Sequence, residues 1–352
     1  MKTAIILYNL GGPDSPEAVQ PFLFNLFNDP AIIRRPAPIR WLLAKLISSR
    51  RAPVAQKIYA EIGGSSPILA ETQKQADALE EELKKSAADG DTDRVFIAMR
   101  YWHPFAEECV AKISIWEPDR VVLMPLYPQF STTTTESFLS IWSLLAKKAG
   151  ITAETSGICC YPAEDGFISA VAELVRPAIE QAEKSGSPRV LFSAHGIPKR
   201  YVTAGDPYQS HVEMTVAAIL KKLSLPDLDH LICYQSRVGP IEWLKPYTDH
   251  AITEAAKDGK AIVVVPIAFV SEHSETLVEL DIEYARLATA NNARAYIRVP
   301  TVGAAPAYIE GLAEMVREAA SATDIVPHGG VRICPAEGNA CPCFAKSAAV
   351  GA

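Results

Sequence analysis

The sequence contains no apolar run approaching the roughly 20 residues that a membrane span needs, and its first run, residues 4–7, is too short for a signal peptide. It has no surplus of positive charge. The 34 Lys and Arg against 41 Asp and Glu leave a net charge of −7, so the chain as a whole carries no electrostatic footprint for nucleic acid. Any cationic site must be local. Cysteine is sparse and odd in number, seven in 352 residues, which is not a disulfide framework. These absences lead to the expectation of a cytoplasmic protein with most thiols reduced. At 49% hydrophobic and 21% charged residues the composition excludes a mostly disordered chain. At about 150 residues per domain, the length suggests two domains, each with a core of its own.

What is present is a recurrent pattern of short Val-, Ile- and Leu-rich runs separated by helix-length segments, as in a parallel sheet covered on both faces. Four runs fall in the first half, at 3–8, 94–99, 120–125 and 155–160, and four in the second, at 189–194, 230–234, 261–267 and 295–299. Segments 73–85 and 305–319 read as amphipathic helices. The expectation is an α/β protein of two similar units, each a four-stranded parallel sheet flanked by helices. The first covers 1–162, the second 163–330, and a cysteine-rich tail fills 331–352. The unusual residues follow the strands, and in open parallel sheets ligands bind beyond the carboxyl ends. Two such edges facing each other would form an interdomain cleft.

Four constellations carry chemistry. His195 ends an apolar run and precedes Gly196 and Pro198, so it stands at a strand exit on a sharp turn. A histidine there can accept a proton near neutral pH, bind a metal, or simply hydrogen-bond within its loop. From 272 to 283 the chain reads E-H-S-E-T-L-V-E-L-D-I-E, five acids without Lys or Arg, with Glu275, Glu279 and Glu283 spaced to share one face of an α-helix. Like charges so spaced cost roughly 0.2–0.5 kcal/mol per pair, which a cation or proton path would justify. A solvated acidic face is the plainer alternative, and the adjacent His273 favours a site.

Residues 31–60 hold no acid but carry Arg34, Arg35, Arg40, Lys45, Arg50, Arg51 and Lys57, interleaved with Ile, Leu and Trp41. Such a stretch suits an anionic amphiphile or a membrane surface, and equally a core-packed helix with one solvated face. In the tail, Cys334, Cys341 and Cys343 lie among prolines and Gly338 and read as metal ligands. A closed zinc or iron–sulfur site takes four, so one ligand comes from elsewhere, and Cys159 and Cys160 at the end of the fourth run are the candidates. Neighbours in a strand face opposite sides, so only one of them should ligate. Cys109 and Cys233 read as buried apolar thiols.

Taken together, L-F-S-A-H-G-I-P at 191–198, R-Y-W-H-P at 100–104, Y-P-Q-F-S at 127–131, Q-S-R-V-G-P-I-E-W-L at 235–244 and the acidic run ending at Tyr284 resemble the ferrochelatase family. The resemblance spans residues 8 to about 330. It implies two Rossmann-like domains and the insertion of ferrous iron, as substrate, into protoporphyrin IX at the last step of haem synthesis. His195 falls on the family's essential histidine and Glu275 on the acid opposite it, both placed to handle pyrrole protons and the entering iron. Glu272, His273, Glu279 and Glu283 fall on a polar path leading away from the porphyrin. Leu10, Tyr59, Ser66, Arg100 and Tyr101 fall on porphyrin contacts, Arg51 on a residue near the propionates in a lip at 31–51, and Trp243 on an aromatic wall.

Some relatives hold a two-iron two-sulfur cluster through carboxyl-terminal cysteines and one internal cysteine. Thr132 stands where animal forms carry the internal ligand, so the resemblance implies the arrangement using the 158–160 strand, with Cys160, nearer the strand's end, as the expected ligand beside Cys334, Cys341 and Cys343. Peripheral contact with the inner face of a membrane and a homodimer complete the expected partners, with no nucleic acid. Two rival functions are kept: a chelatase for coproporphyrin or cobalt, and a non-catalytic tetrapyrrole carrier, which would need a greasy pocket but not both His195 and the Glu275 array.

Overall fold

The computed structural model describes residues 1–85, 90–335 and 338–343, and the end of the cysteine-rich tail, from 344, lies outside them. Eight strands form where the apolar runs place them: β1 (Lys2–Asn9), β2 (Thr92–Met99), β3 (Arg120–Pro125), β4 (Glu154–Ile158), β5 (Pro188–His195), β6 (His230–Gln235), β7 (Ala261–Pro266) and β8 (Ala295–Arg298). A ninth, β9 (Ile325–Val326), has only two residues. The fold is α/β, with every strand pairing parallel.

One sheet runs β2-β1-β3-β4-β9 and the other β6-β5-β7-β8. The expectation of two four-stranded sheets is therefore corrected to five and four. β9 pairs Gly157 with Ile325 and Ile158 with Val326, too short a ladder to leave a periodic signal.

The chain divides into two compact units, and the first is discontinuous. It comprises Met1–Tyr161, Leu312–Ile333 and, among the described residues, Cys341 to Cys343; the second comprises Pro162–Gly311 and Cys334–Ala340. Segment 312–330, assigned to the second domain from the sequence, thus packs with the first unit. Its ties there include Ser156 Oγ donating to the Ala319 carbonyl at 2.7 Å and the Cys159 amide donating to the Val326 carbonyl at 2.8 Å.

Within the first unit, β1 is buried from Ala4 to Tyr8 because helices cover both faces of the sheet. Its Ile6 and Tyr8 pack with Phe96, Ile113, Phe138 and Trp142, the Tyr8 and Phe138 rings stacking at 3.9 Å. In the second unit Leu191, Cys233, Ile262 and Val264 form the corresponding core with Leu280 and Ala288. Registry sets where the strands end. Asn9 pairs with Met99 in the first sheet and His195 with Gln235 in the second, so the residues after them emerge side by side at the carboxyl edges.

Candidate functional site

His195 is the last residue of β5, about one third exposed, and its backbone carbonyl accepts a hydrogen bond from the buried Tyr208 hydroxyl at 3.0 Å. Nδ1 donates to the Gly196 carbonyl at 2.6 Å, which leaves Nε2 facing Glu275 Oε1 at 3.5 Å. His273 is arranged alike, with Nδ1 donating to the Ser271 carbonyl at 3.1 Å and Nε2 lying 3.5 Å from Glu275 Oε2. One carboxylate thus meets an imidazole on each oxygen. Burial works against the charged form of His195, but the Glu275 charge outweighs it and raises the pKa to about 9. Burial would raise Glu275, yet His195 and His273 hold it well below the usual carboxylate range.

Glu275 opens a π-helix, Glu275–Glu283, where the sequence pattern predicts an α-helix; π segments are rare and recur at functional sites. The three acids do not share one environment. Glu275 and Glu279 are half-buried and Glu283 is exposed. Glu279 accepts hydrogen bonds from the Ser236 amide at 2.9 Å, the Ser236 hydroxyl, Gln235 Nε2 at 3.2 Å and the Tyr284 hydroxyl at 2.8 Å. Burial, with the neighbouring Glu275 charge, raises its pKa. Glu272 is bound instead to Arg298 Nη1 at 2.6 Å and to the Thr301 amide at 3.0 Å, and Arg298 overcomes the effect of burial to lower its pKa.

Sequence reasoning overlooks two features near His195. The Phe269 ring lies edge-on to both His195 and His273, with centroids 6.3 and 4.4 Å away, and in the sequence it is one apolar residue among several. Ser236 has φ of +65°, an uncommon left-handed backbone for a residue other than glycine, and this is the residue that presents both its amide and its hydroxyl to Glu279. Trp243 donates its Nε1 hydrogen to the Val238 carbonyl at 3.1 Å. A Cβ on Gly196 would lie 2.9 Å from the Gln235 carbonyl and 3.4 Å from the Trp243 ring, so this strand exit requires glycine.

In the first unit, the Arg100 amide bonds the Asn9 carbonyl at 2.9 Å and the Tyr101 amide the Leu10 carbonyl at 3.0 Å, extending the β1–β2 ladder into the loops. Leu10, Tyr59 and Tyr101 pack in one apolar cluster with Val19, Phe22 and Ala52. Tyr101 is only 1% exposed, its hydroxyl donating to Asp29 at 2.8 Å. Ser66 seats against Gly12, where a Cβ would meet its hydroxyl at 2.5 Å. Arg51 is exposed on the helix Ala37–Ala60. That helix buries Ala44, Ser48, Ala52 and Tyr59 and exposes Ile39, Trp41, Leu42, Leu46 and Val54.

Cys159, Cys341 and Cys343 are buried, with sulfurs all within 4.8 Å of one another, the one such group of His, Cys, Asp or Glu donors among the described residues. Cys159 Sγ lies 3.7 Å from Cys343 and 3.6 Å from Cys160. The structure therefore groups Cys159, rather than the expected Cys160, with the two tail thiols. Both cysteines follow the end of β4, so strict strand alternation does not govern which one faces the tail. Contacts with Cys160 and Cys341 push the Cys159 thiol well above its usual pKa, and contacts with Cys159 and Cys341 do the same to Cys343. A cation at their centre would reverse this, so the donor set fits a thiolate-bound metal group. Cys334, in the second unit, lies 3.4 Å from Nε2 of the fully buried His211. Cys109 and Cys233 are buried thiols whose pKa burial raises to about 12.

The ferrochelatase family model matches residues 2–320. The ferrochelatase of Caulobacter vibrioides is 51% identical over 346 residues, covering 97% of each chain, and that of Phenylobacterium zucineum is 49% identical, covering 97% of this chain and 98% of its own. Among solved structures, SirB from Bacillus subtilis with Fe3+ shares the fold at a TM-score of 0.52 and 16% identity, covering 91% of this chain and 96% of its own.

Proposed function

This chain belongs to the ferrochelatase family, and we infer that it inserts ferrous iron into protoporphyrin IX with release of two protons, forming haem. It is a porphyrin metal chelatase, a lyase. The observation that carries the mechanism is the single carboxylate of Glu275 between the Nε2 atoms of His195 and His273.

A free-base porphyrin must lose two pyrrole N–H protons as Fe2+ enters, and a flat macrocycle keeps its nitrogen lone pairs in the plane. Binding that bends the ring exposes those lone pairs and favours the transition state. In the free enzyme the Glu275 charge keeps a proton on His195. Iron arriving at Glu275 takes over that charge, so His195 gives up its Nε2 proton to solvent and is left as the base for a pyrrole proton. Nδ1 stays committed to the Gly196 carbonyl, so only Nε2 exchanges. Glu279 is the next carboxylate able to hold a proton, and the exposed Glu283 ends the line. Glu272, neutralised by Arg298, shapes the path rather than carrying the cation.

Leu10, Tyr59, Ser66 and Arg100 serve as porphyrin contacts in the first unit, with Tyr101 supporting them from beneath, and Trp243 is the aromatic wall beside Gly196. The preference for protoporphyrin over the more polar coproporphyrin rests on the helix Ala37–Ala60. Its exposed Trp41, Leu42 and Leu46 among arginines and lysines suit a peripheral membrane surface on the cytoplasmic side, from which a greasy dicarboxylate is delivered. No helix among the described residues is long and apolar enough to cross a membrane.

Cys159, Cys341 and Cys343 would supply three thiolates to a two-iron two-sulfur cluster, which ties the tail to the end of β4. The deciding experiment is anaerobic incubation of the purified protein with Fe2+ and either protoporphyrin IX or coproporphyrin. Conversion of the free-base spectrum to the metallated one with protoporphyrin supports this reading. Conversion of coproporphyrin alone would reassign the substrate.

A further inference from the structure

Two buried hydroxyls in the first unit take no part in the mechanism above. Tyr8 in β1 and Thr135, the first residue of the helix Thr135–Ala149, are both 0% exposed, and neither hydroxyl has a hydrogen-bond partner among the described residues. Leaving a buried donor unpaired is costly, so two together point to an acceptor that is not part of the chain.

The packing sets both beside the tail thiols. Register aligns Ile6 with Leu123 and Leu123 with Gly157, and two residues further the same row runs through Tyr8 and Pro125 to Cys159. The Tyr8 ring stacks on Phe138 at 3.9 Å, and Thr135 lies one turn before Phe138 on the same helix face, so the phenol points to the helix start. There the Tyr8 and Thr135 hydroxyls neighbour each other without closing a hydrogen bond. Burial holds the Tyr8 pKa far above its ordinary value, the nearby Cys159 thiol adds to the rise, and Thr135 offsets part of it. Burial likewise raises Glu136, the next residue of the helix, and Cys341 adds to that rise. The start of the helix thus borders two of the three thiols, and its N-cap Thr134 makes no side-chain capping bond.

We propose that the Tyr8 and Thr135 hydroxyls donate hydrogen bonds to sulfur atoms of a cluster bound by Cys159, Cys341 and Cys343, and so raise its reduction potential. The proposal rests on the two-iron two-sulfur reading of those thiols and deepens it by naming the groups that tune the cluster. Reduction adds one electron, turns one ferric iron to ferrous and breaks no bond. The sulfurs then carry more negative charge and accept hydrogen bonds more strongly, so donors favour the reduced form. The positive end of the helix acts in the same sense.

The test uses wild type, Tyr8→Phe, Thr135→Val and the double variant, each reconstituted anaerobically with iron and sulfide and titrated with dithionite. The electron paramagnetic resonance signal of the reduced cluster gives the midpoint potential. Each single variant removes a hydroxyl and keeps the side chain's shape, so iron and sulfide content should match wild type. Each should shift the reduction equilibrium roughly tenfold toward the oxidised form, which for one electron lowers the potential by about 59 mV, and the double variant should shift it further. In a Cys159→Ser background, which holds no cluster, Tyr8→Phe should leave the thermal midpoint unchanged, because there the hydroxyl has nothing to donate to. Unshifted potentials at full iron and sulfide content would overturn the proposal and leave the cluster in place. An equal fall in thermal midpoint with and without the cluster would overturn it as a merely structural effect. Wild type that binds zinc, or no iron and sulfide at all, would overturn the cluster reading and the proposal with it. Should Tyr8→Phe not fold, Thr135→Val must show the lowered potential alone.

Discussion

Glu275 sets the electrostatics of the second unit's site, because its carboxylate faces both imidazoles at 3.5 Å. The sign of its effect on stability follows from the His195 shift. The His195 share of the pair's contribution is complete below pH 6.5, where His195 is charged whether folded or not, and is lost as pH rises through about 9. Replacing the acid in Glu275→Gln should let the His195 pKa fall back toward 6.5, so the acid limb of the rate profile moves to lower pH. The maximal rate should also drop by about 10²–10⁴, the usual worth of a positioned acid–base group. A rate-against-pH series at saturating porphyrin checks this, and an unmoved limb would assign the base elsewhere. The sequence announces His195 through its place between an apolar strand and a Gly-Ile-Pro turn. It does not announce Phe269, whose ring differs from a core residue only by what it touches.

Among the elements, the helix Ala37–Ala60 inverts the ordinary arrangement by burying alanine and serine and exposing tryptophan and leucine. Its basic, acid-free composition is plain in the sequence, but the choice between core packing and surface contact is not, because both readings use the same residues. Binding of the protein to vesicles of anionic lipid should weaken as salt rises, with each Lys or Arg near the surface worth roughly 1 kcal/mol. The pair Trp41→Ser and Leu42→Ser should weaken it further without changing the salt dependence, as measured by co-sedimentation. Binding that ignores salt would leave only a packing role for the basic face. The π-helix is the element the pattern misreads, since α and π turns draw on the same residues and the acidic spacing fits either. The strands are read correctly because continuous apolar runs have few other uses, and β9 escapes notice because two residues make no pattern.

For the whole molecule, the thiols set a test of how the chain is closed. Cys159→Ser should abolish bound iron and sulfide, and Cys160→Ser should retain them, by chemical analysis of the purified proteins. The reverse outcome would restore Cys160 as the ligand, and zinc in place of iron would refute the cluster. Truncation before Ile325 should leave the β4 edge unpaired and drive aggregation, visible by light scattering, since an open strand edge invites pairing with another chain. Because residues 162–311 are inserted between the two stretches that build the first sheet, the order of synthesis matters. As the chain leaves the ribosome, the inserted stretch 162–311 is made while the first unit still lacks β9, Cys341 and Cys343. A partly made chain therefore shows its open β4 edge until β9 is translated, and the thiol set can be filled only after Cys343 has been made.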